Sequence, residues 1–166
     1  MSALPSFVIT TCGKTKAPGP APAADFYRGS FVKKQGQVAA ALRPTQGRLI
    51  LSNKYGFMRP DWIIPGPYDS HWGYPDTMPD EELEAQVAAL PLRPGDWVVN
   101  TGAREYARQT RRLFPSFVEV VWLPKTLPDT RIGHQSKLYN WIISLGKVPD
   151  ALRRRSIFAM EEVVLK

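Results

Sequence analysis

An α/β domain with a mainly parallel sheet is the fold class this sequence predicts, on three observations. Apolar runs too short to be helices recur along the chain, at Phe7 to Thr11, Leu49 to Ser52, Asp96 to Asn100 and Phe117 to Leu123. Segments with helical spacing of apolar residues separate them, and strands alternating with helices imply parallel pairing with helices packed on the faces. Each run also ends in a polar or glycine-containing loop. At 166 residues the chain has room for one domain with a proper core and too little for two, so residues 1–166 read as one unit.

Phe7-Val-Ile-Thr-Thr is the first strand and leads into Cys12-Gly13-Lys14-Thr15-Lys16. The Pro- and Ala-rich stretch from Ala17 to Ala24 is too proline-dense for a helix. Phe31, Val32, Val38, Ala39 and Leu42 fall on one face of a helix from Ser30 to Leu42, with Lys33 and Lys34 outside. Leu49 to Ser52 is the second strand. Beyond it Gly56, Pro60, Pro65, Gly66 and Pro67 predict an irregular loop as far as Asp69, and a long loop in a small domain usually has a function. Pro79 opens a helix whose first turn carries Asp80, Glu81 and Glu82, which suit the positive end of the helix dipole, and Pro91 ends it. Asp96 to Asn100 is the third strand, followed by a basic helix from Ala103 to Phe114. Phe117 to Leu123 is the fourth, and after a loop a helix carries Leu138, Trp141, Ile142 and Leu145. Arg153, Arg154 and Arg155 precede a last apolar run that reads as an added strand.

Lys and Arg outnumber Asp and Glu by 22 to 15, a formal charge of +7 that suits a polyanionic partner. Cys12 is the only cysteine and His71 and His134 the only histidines, which excludes an intramolecular disulfide and a thiolate-rich zinc cage. No metal and no cofactor is expected. No run approaches a membrane span and the N-terminus lacks a basic segment followed by an apolar one, so a cytoplasmic protein without a membrane partner is expected.

In an open parallel sheet the loops after the strand C-termini gather on one edge. Cys12 to Lys16, Ser52 to Asp69, Asn100 to Tyr106 and Lys125 to Gln135 should therefore share a crevice. Gly13-Lys14-Thr15 has the ending of a phosphate loop, but that loop needs a glycine where Val8 stands and a helix directly after Thr15. Lys14 beside exposed amides still suits a phosphate. A phosphatase-type Cys12 would want an arginine where Pro18 stands, so Cys12 reads as a small buried residue at a strand end. Gly102 is placed for close approach to a ligand, with Tyr106 reaching back from the next helix. Arg104, Arg108, Arg111 and Arg112 spread over what reads as that helix's exposed side, a pattern that suits phosphates and equally a solvated face. His134 falls near a helix N-terminus, where amides bind anions. Asp69, directly after Tyr68 and near His71 and Trp72, is the leading candidate carboxylate, and Asp25 beside Tyr27 is the second. Either can also be a turn-capping aspartate.

The segments Cys12 to Lys16, Ala21 to Tyr27, Leu51-Ser-Asn-Lys-Tyr-Gly56 with Pro67-Tyr68-Asp69, and Ile132-Gly-His-Gln135 carry a resemblance over most of the chain. On them the sequence resembles a family of small bacterial and phage proteins similar to the YaaA peroxide-stress proteins and, more distantly, to the uracil-DNA glycosylase fold. The resemblance implies a uracil-DNA-glycosylase-like sheet, with Ser52, Lys54, Tyr55, Tyr68 and Asp69 in the pocket and Lys14 and Gln135 at its rim. One branch it brings into view contains anti-phage DNA glycosylases that remove glucosylated hydroxymethylcytosine. The Gly-Gln-Asp-Pro-Tyr-His signature of uracil-DNA glycosylases is absent, and only Asp25 and Tyr27 stand near it, so the analogy assigns no catalytic carboxylate.

The expected activity is excision of a modified base from phage DNA, leaving an abasic site. A base must leave the stack before its glycosidic bond can be reached. Arg104, Arg108, Arg111 and Arg153 to Arg155 would hold the DNA backbone, and Phe57, Met58 or Trp72 would fill the vacated stack. Tyr55 and Tyr68 would sandwich the base. Asp69, or failing it Asp25, would stabilise the sugar cation, and Lys54 or His134 would offset charge on the leaving base; Lys54 as a Schiff-base nucleophile is the lyase variant. Tyr27, Asn53, Gly102, Tyr106 and Gln135 complete the substrate-binding set. The alternatives are a non-catalytic YaaA-like DNA-binding protein and a base-modifying or base-exchanging enzyme acting on RNA.

Overall fold

Strands buried on both faces must be apolar throughout, and the sheet is built from such runs. The computed structural model describes residues 3–129 and 131–163. Its central sheet comprises β1 (Phe7–Thr11), β3 (Gly47–Ser52), β4 (Gly56–Met58), β6 (Trp97–Asn100) and β7 (Glu119–Trp122), in the spatial order β4-β3-β1-β6-β7. β1 pairs in parallel with β3 on one side and β6 on the other, and β7 continues in parallel from β6. The register places Thr11 beside Leu51, Ile9 beside Asn100, and Asn100 beside Trp122, so four strands end at one edge. The α/β class with a mainly parallel sheet is thus the observed one. Chain order reverses about β1, and such a reversal opens a crevice beyond the strand ends.

Helices α2 (Ser30–Leu42), α3 (Asp80–Ala88), α4 (Arg104–Leu113), α5 (Ile132–Leu145) and α6 (Asp150–Arg155) flank the sheet. Alternate strand residues supply the two faces. Phe7, Ile9, Leu49, Leu51, Val98 and Val120 pack with Leu83 and Val87 of α3 and Ala107 of α4. Val8, Val99 and Val121 pack with Val38 and Leu42 of α2 and with Tyr139 and Ile142 of α5. Gln35 of α2 fastens the reversal point: its side-chain oxygen accepts the Thr11 N–H at 2.8 Å and the Thr101 hydroxyl at 3.1 Å.

Three expectations about the elements are corrected. The segment after Ser52 is not irregular throughout. Gly56–Met58 folds back as an antiparallel edge strand on β3, with Gly56 at φ 72°, where the left-handed backbone that reads as a breaker is the turn itself. The Pro/Ala stretch ends in a short helix, α1 (Ala23–Phe26), preceded by β2 (Ala21–Pro22), which pairs with β5 (Ile63–Ile64). Pro22 sits just before the first turn, where a missing N–H is harmless. The C-terminal apolar run adds no strand among the described residues: Ile157 makes one bridge to Val121, and Met160–Glu162 is a 3-10 turn. No helix of the described residues is long and apolar enough to cross a membrane.

Candidate functional site

At the strand-end edge lies a crevice of about 430 Å3, within the size range of small-molecule sites. The loop after β1 supplies Cys12, Gly13, Lys14 and Lys16, and the turn after β3 supplies Asn53. Tyr68, Asp69, Ser70 and His71 come from the long loop, and Tyr106 reaches in from α4. Lys14 and Asp69 therefore share one crevice, as the strand order predicts. Tyr68 ties the crevice to a set of linked hydroxyls behind it. The buried Ser52 Oγ lies 2.8 Å from the Tyr68 hydroxyl and accepts the N–H groups of Lys54 at 3.1 Å and Tyr55 at 3.2 Å. With its lone pairs so engaged, Ser52 donates its proton to Tyr68. The Tyr68 hydroxyl also bonds to that of Tyr27. On the far wall the Tyr106 hydroxyl lies 3.1 Å from the Cys12 sulfur.

The phenols hold their protons firmly. Burial, followed by the nearby Cys12 thiol, pushes Tyr68 up to about 12. Burial is also the main cause that raises Tyr27 and Tyr106, helped by Tyr68 in the first case and Cys12 in the second. Neutral hydroxyls in a partly dry crevice offer hydrogen bonds without charge. The positive charge lies around them: Lys16 Nζ is 4.8 Å and Lys54 Nζ 5.2 Å from the centre of the Tyr68 ring, and Lys14 is exposed at the mouth. Among the described residues none of these three lysines makes an ion pair. Asn53 is held through Ser70, whose hydroxyl bonds to Asp76 at 2.5 Å.

Several sequence-derived roles change. Asp69 stands at the rim with its side chain 93% exposed, 3.7 Å from His71; it lies at the mouth and not against aromatic surface. Asp25 is exposed on α1 and does not line the crevice. Tyr55 and Tyr68 meet edge to face, 5.3 Å apart at 90°, so no slot between them can sandwich a base. Phe57 and Met58 are core residues, 4% and 1% exposed, and cannot act as wedges. Trp72 packs on Tyr106. Gly102 offers no backbone to a ligand. Its N–H bonds to Asn100, its carbonyl accepts from Trp122, and a Cβ there would meet the Thr11 methyl at 2.3 Å. Cys12 is only half-buried and faces the crevice.

The loop Lys125 to Gln135 contributes no residue to the crevice lining. Lys125 is bonded to Ile157 and Glu162, His134 lies 3.0 Å from Asp129, and Gln135 is buried in the first turn of α5. The arginines of α4 and α6 are also largely engaged. Arg111 is buried and donates to the carbonyls of Val118, Phe114 and Pro115, so it cannot reach a phosphate. Arg153 is bonded to Glu119 and stacked on Trp97, which withdraws it likewise. Arg108 binds Glu105 and the Val163 carbonyl, and Arg104 lies over Trp122 and Phe158. Arg154 and Arg155 remain exposed. Lys16 and Ser70 belong to the site and were given no role from sequence. Lys16 stands in the Cys12 to Lys16 motif, which was the available signal; nothing in the sequence marks Ser70.

These features define an α/β protein with a strand-end crevice, phenolic within and cationic at the mouth. The chain belongs to the Family of unknown function (DUF6884), whose model matches residues 7–140 and so spans every residue of the crevice. It is similar to the Uncharacterized protein YfjM of Bacillus subtilis (strain 168), 28% identical over 122 residues, 69% of this chain and 80% of that protein. No solved structure matches the chain.

Proposed function

We propose that the crevice receives a modified base turned out of a DNA strand, and that the protein is a cytoplasmic DNA glycosylase acting against phage DNA. The observation that carries this reading is a set of three lysines with no ion pair among the described residues: Lys14 and Lys16 line the hollow, and Lys54 lies over the ring of Tyr68 beside it. Lys14, Lys16 and Lys54 hold phosphates flanking the flipped nucleotide, because cations free of acid partners are the ones that exchange counterions for phosphate. The hollow exceeds what a plain pyrimidine fills and leaves room for a sugar-sized substituent. Tyr68, Tyr106 and Asn53 supply hydrogen bonds, the kind of contact that rejects a base lacking the matching groups.

In the reaction the glycosidic bond breaks with its electron pair leaving on the base. Asp69 stabilises the positive charge developing on the sugar, water adds to the anomeric carbon, and the proton it loses passes to solvent or to the departing base. The test is incubation of the pure protein with glucosylated and unmodified phage DNA, followed by mass analysis for free base.

One observation favours a second reading, a DNA-binding protein without catalysis: Asp69, which among the described residues is the one carboxylate lining the crevice, is 93% exposed, and a charge so open to water is weakened as an electrostatic catalyst. Tight binding to modified DNA with no released base selects this reading.

A further inference from the structure

Arg48 lies near the start of β3, and its side chain runs beneath α2. Its Nε donates to the Thr10 hydroxyl at 2.8 Å, while no acceptor among the described residues takes a hydrogen bond from its terminal nitrogens. A guanidinium offers five N–H donors in a planar fork, so most of this fork is unused although burial is enough to disfavour its charge. The Asp25 carboxylate favours that charge from a distance and makes no ion pair with it. Two hollows of about 360 and 290 Å3 meet at Arg48 and share Gly36 and Ala40 of α2. Gly36 leaves room for the guanidinium: a Cβ there would stand 3.1 Å from Nη1. Arg43 lines one hollow and Lys33 the other. Arg43 closes α2 at φ 49°, the one positive φ of a non-glycine residue among the described residues. Glycine or asparagine is the usual occupant of such a cap.

We propose that this groove is an anion site in which the terminal N–H groups of Arg48 take a phosphate group, with Arg43 and Lys33 completing the positive field on either side. Paired N–H donors on a half-covered guanidinium match two oxygens of a phosphate, and such charge-assisted pairs are the strong ones. The site is separate from the crevice and does not rest on the glycosylase reading. Tyr27 connects the two, lining one hollow while its hydroxyl bonds to Tyr68, which lines the crevice.

The experiment is thermal melting of the whole protein in inorganic phosphate against sodium chloride of equal ionic strength. A ligand that binds only the folded state raises the melting temperature, here by roughly 3 °C at saturating phosphate. The rise should vanish in Arg48→Gln and shrink in Lys33→Gln, an exposed position that leaves the fold intact. Gly36→Ala, which crowds Nη1 and shifts the guanidinium tip by a few tenths of an ångström, should weaken the response and serves if Arg48→Gln does not fold. A single-stranded oligonucleotide without terminal phosphates that abolishes the phosphate response in wild type assigns the site to a phosphodiester; failure to compete assigns it to a free phosphate. No phosphate-specific rise in wild type, or an equal rise in Lys33→Gln and Gly36→Ala, overturns the proposal.

Discussion

The Tyr68 hydroxyl lies 2.8 Å from Ser52 Oγ, which in turn accepts the backbone N–H groups of Lys54 and Tyr55. One buried serine thus fixes both the turn after β3 and the phenol that reaches over it. Ser52→Ala leaves two amides without a partner in a covered place and takes one of the two bonds of the Tyr68 hydroxyl, which keeps Tyr27, an expected loss of about 1–3 kcal/mol. Urea unfolding measures it, and an unchanged midpoint would show that the serine is incidental.

Alkaline stability follows from the phenols. Tyr68 is pushed up to about 12, and Tyr27, Tyr106 and Tyr139 are also raised by burial. A phenol whose native pKa exceeds its unfolded value of about 10 stabilises the fold fully below that pH, and the contribution disappears as pH rises towards the native value. Melting temperature should therefore show no fall from these groups up to about pH 9 and drop between about pH 10 and 12. Tyr68→Phe should flatten part of that drop.

Cations of the crevice and of α4 should separate cleanly. Changing Lys14, Lys16 and Lys54 together to Gln should reduce the slope of log affinity against log salt by up to ~2–3 for DNA, since each phosphate contact contributes about 0.7–0.9. Arg111→Gln should leave that slope alone and destabilise the fold by roughly 3 kcal/mol, because three carbonyls lose their donor. Fluorescence titration at several salt concentrations and chemical unfolding read the two effects independently.

Much of this division could not be read from the sequence, while the frame could. β1, β6 and β7 are short apolar runs with no other stable use, and the acids after Pro79 mark the start of α3 directly. Strand order brings residues of three of the four expected loops together, among them Lys14, Asn53, Asp69 and Tyr106, while the fourth, Lys125 to Gln135, stays out because its side chains bond elsewhere. The guanidinium of Arg111 is different. It sits among basic neighbours on an amphipathic helix, and only the path of the chain through Phe114 and Val118 shows that it turns inward to bind carbonyls. β4 depends on Gly56 turning back on β3, where the sequence offers a breaker and three residues. The contact between Cys12 and Tyr106 joins residues far apart in sequence and has no local signal.

Aromatic recognition gives a further test. Tyr68→Ala removes a hydroxyl offered to the base and the ring over which Lys16 and Lys54 are placed, and should weaken binding of modified DNA by about 1–3 kcal/mol, the usual cost of leaving a buried polar group without its partner. Equal affinities of variant and wild type for modified oligonucleotides would take the base out of the crevice.

The central claim is that Asp69 at the crevice mouth drives release of a base, and single-turnover release from a matched modified oligonucleotide tests it most directly. Wild type should liberate free base, and Asp69→Asn should bind with nearly unchanged affinity while releasing it ~10²-fold or more slowly, the usual cost of losing one electrostatic contact in a transition state. Release by Asp69→Asn at the wild-type rate, or no release by wild type from any modified DNA, would contradict the claim.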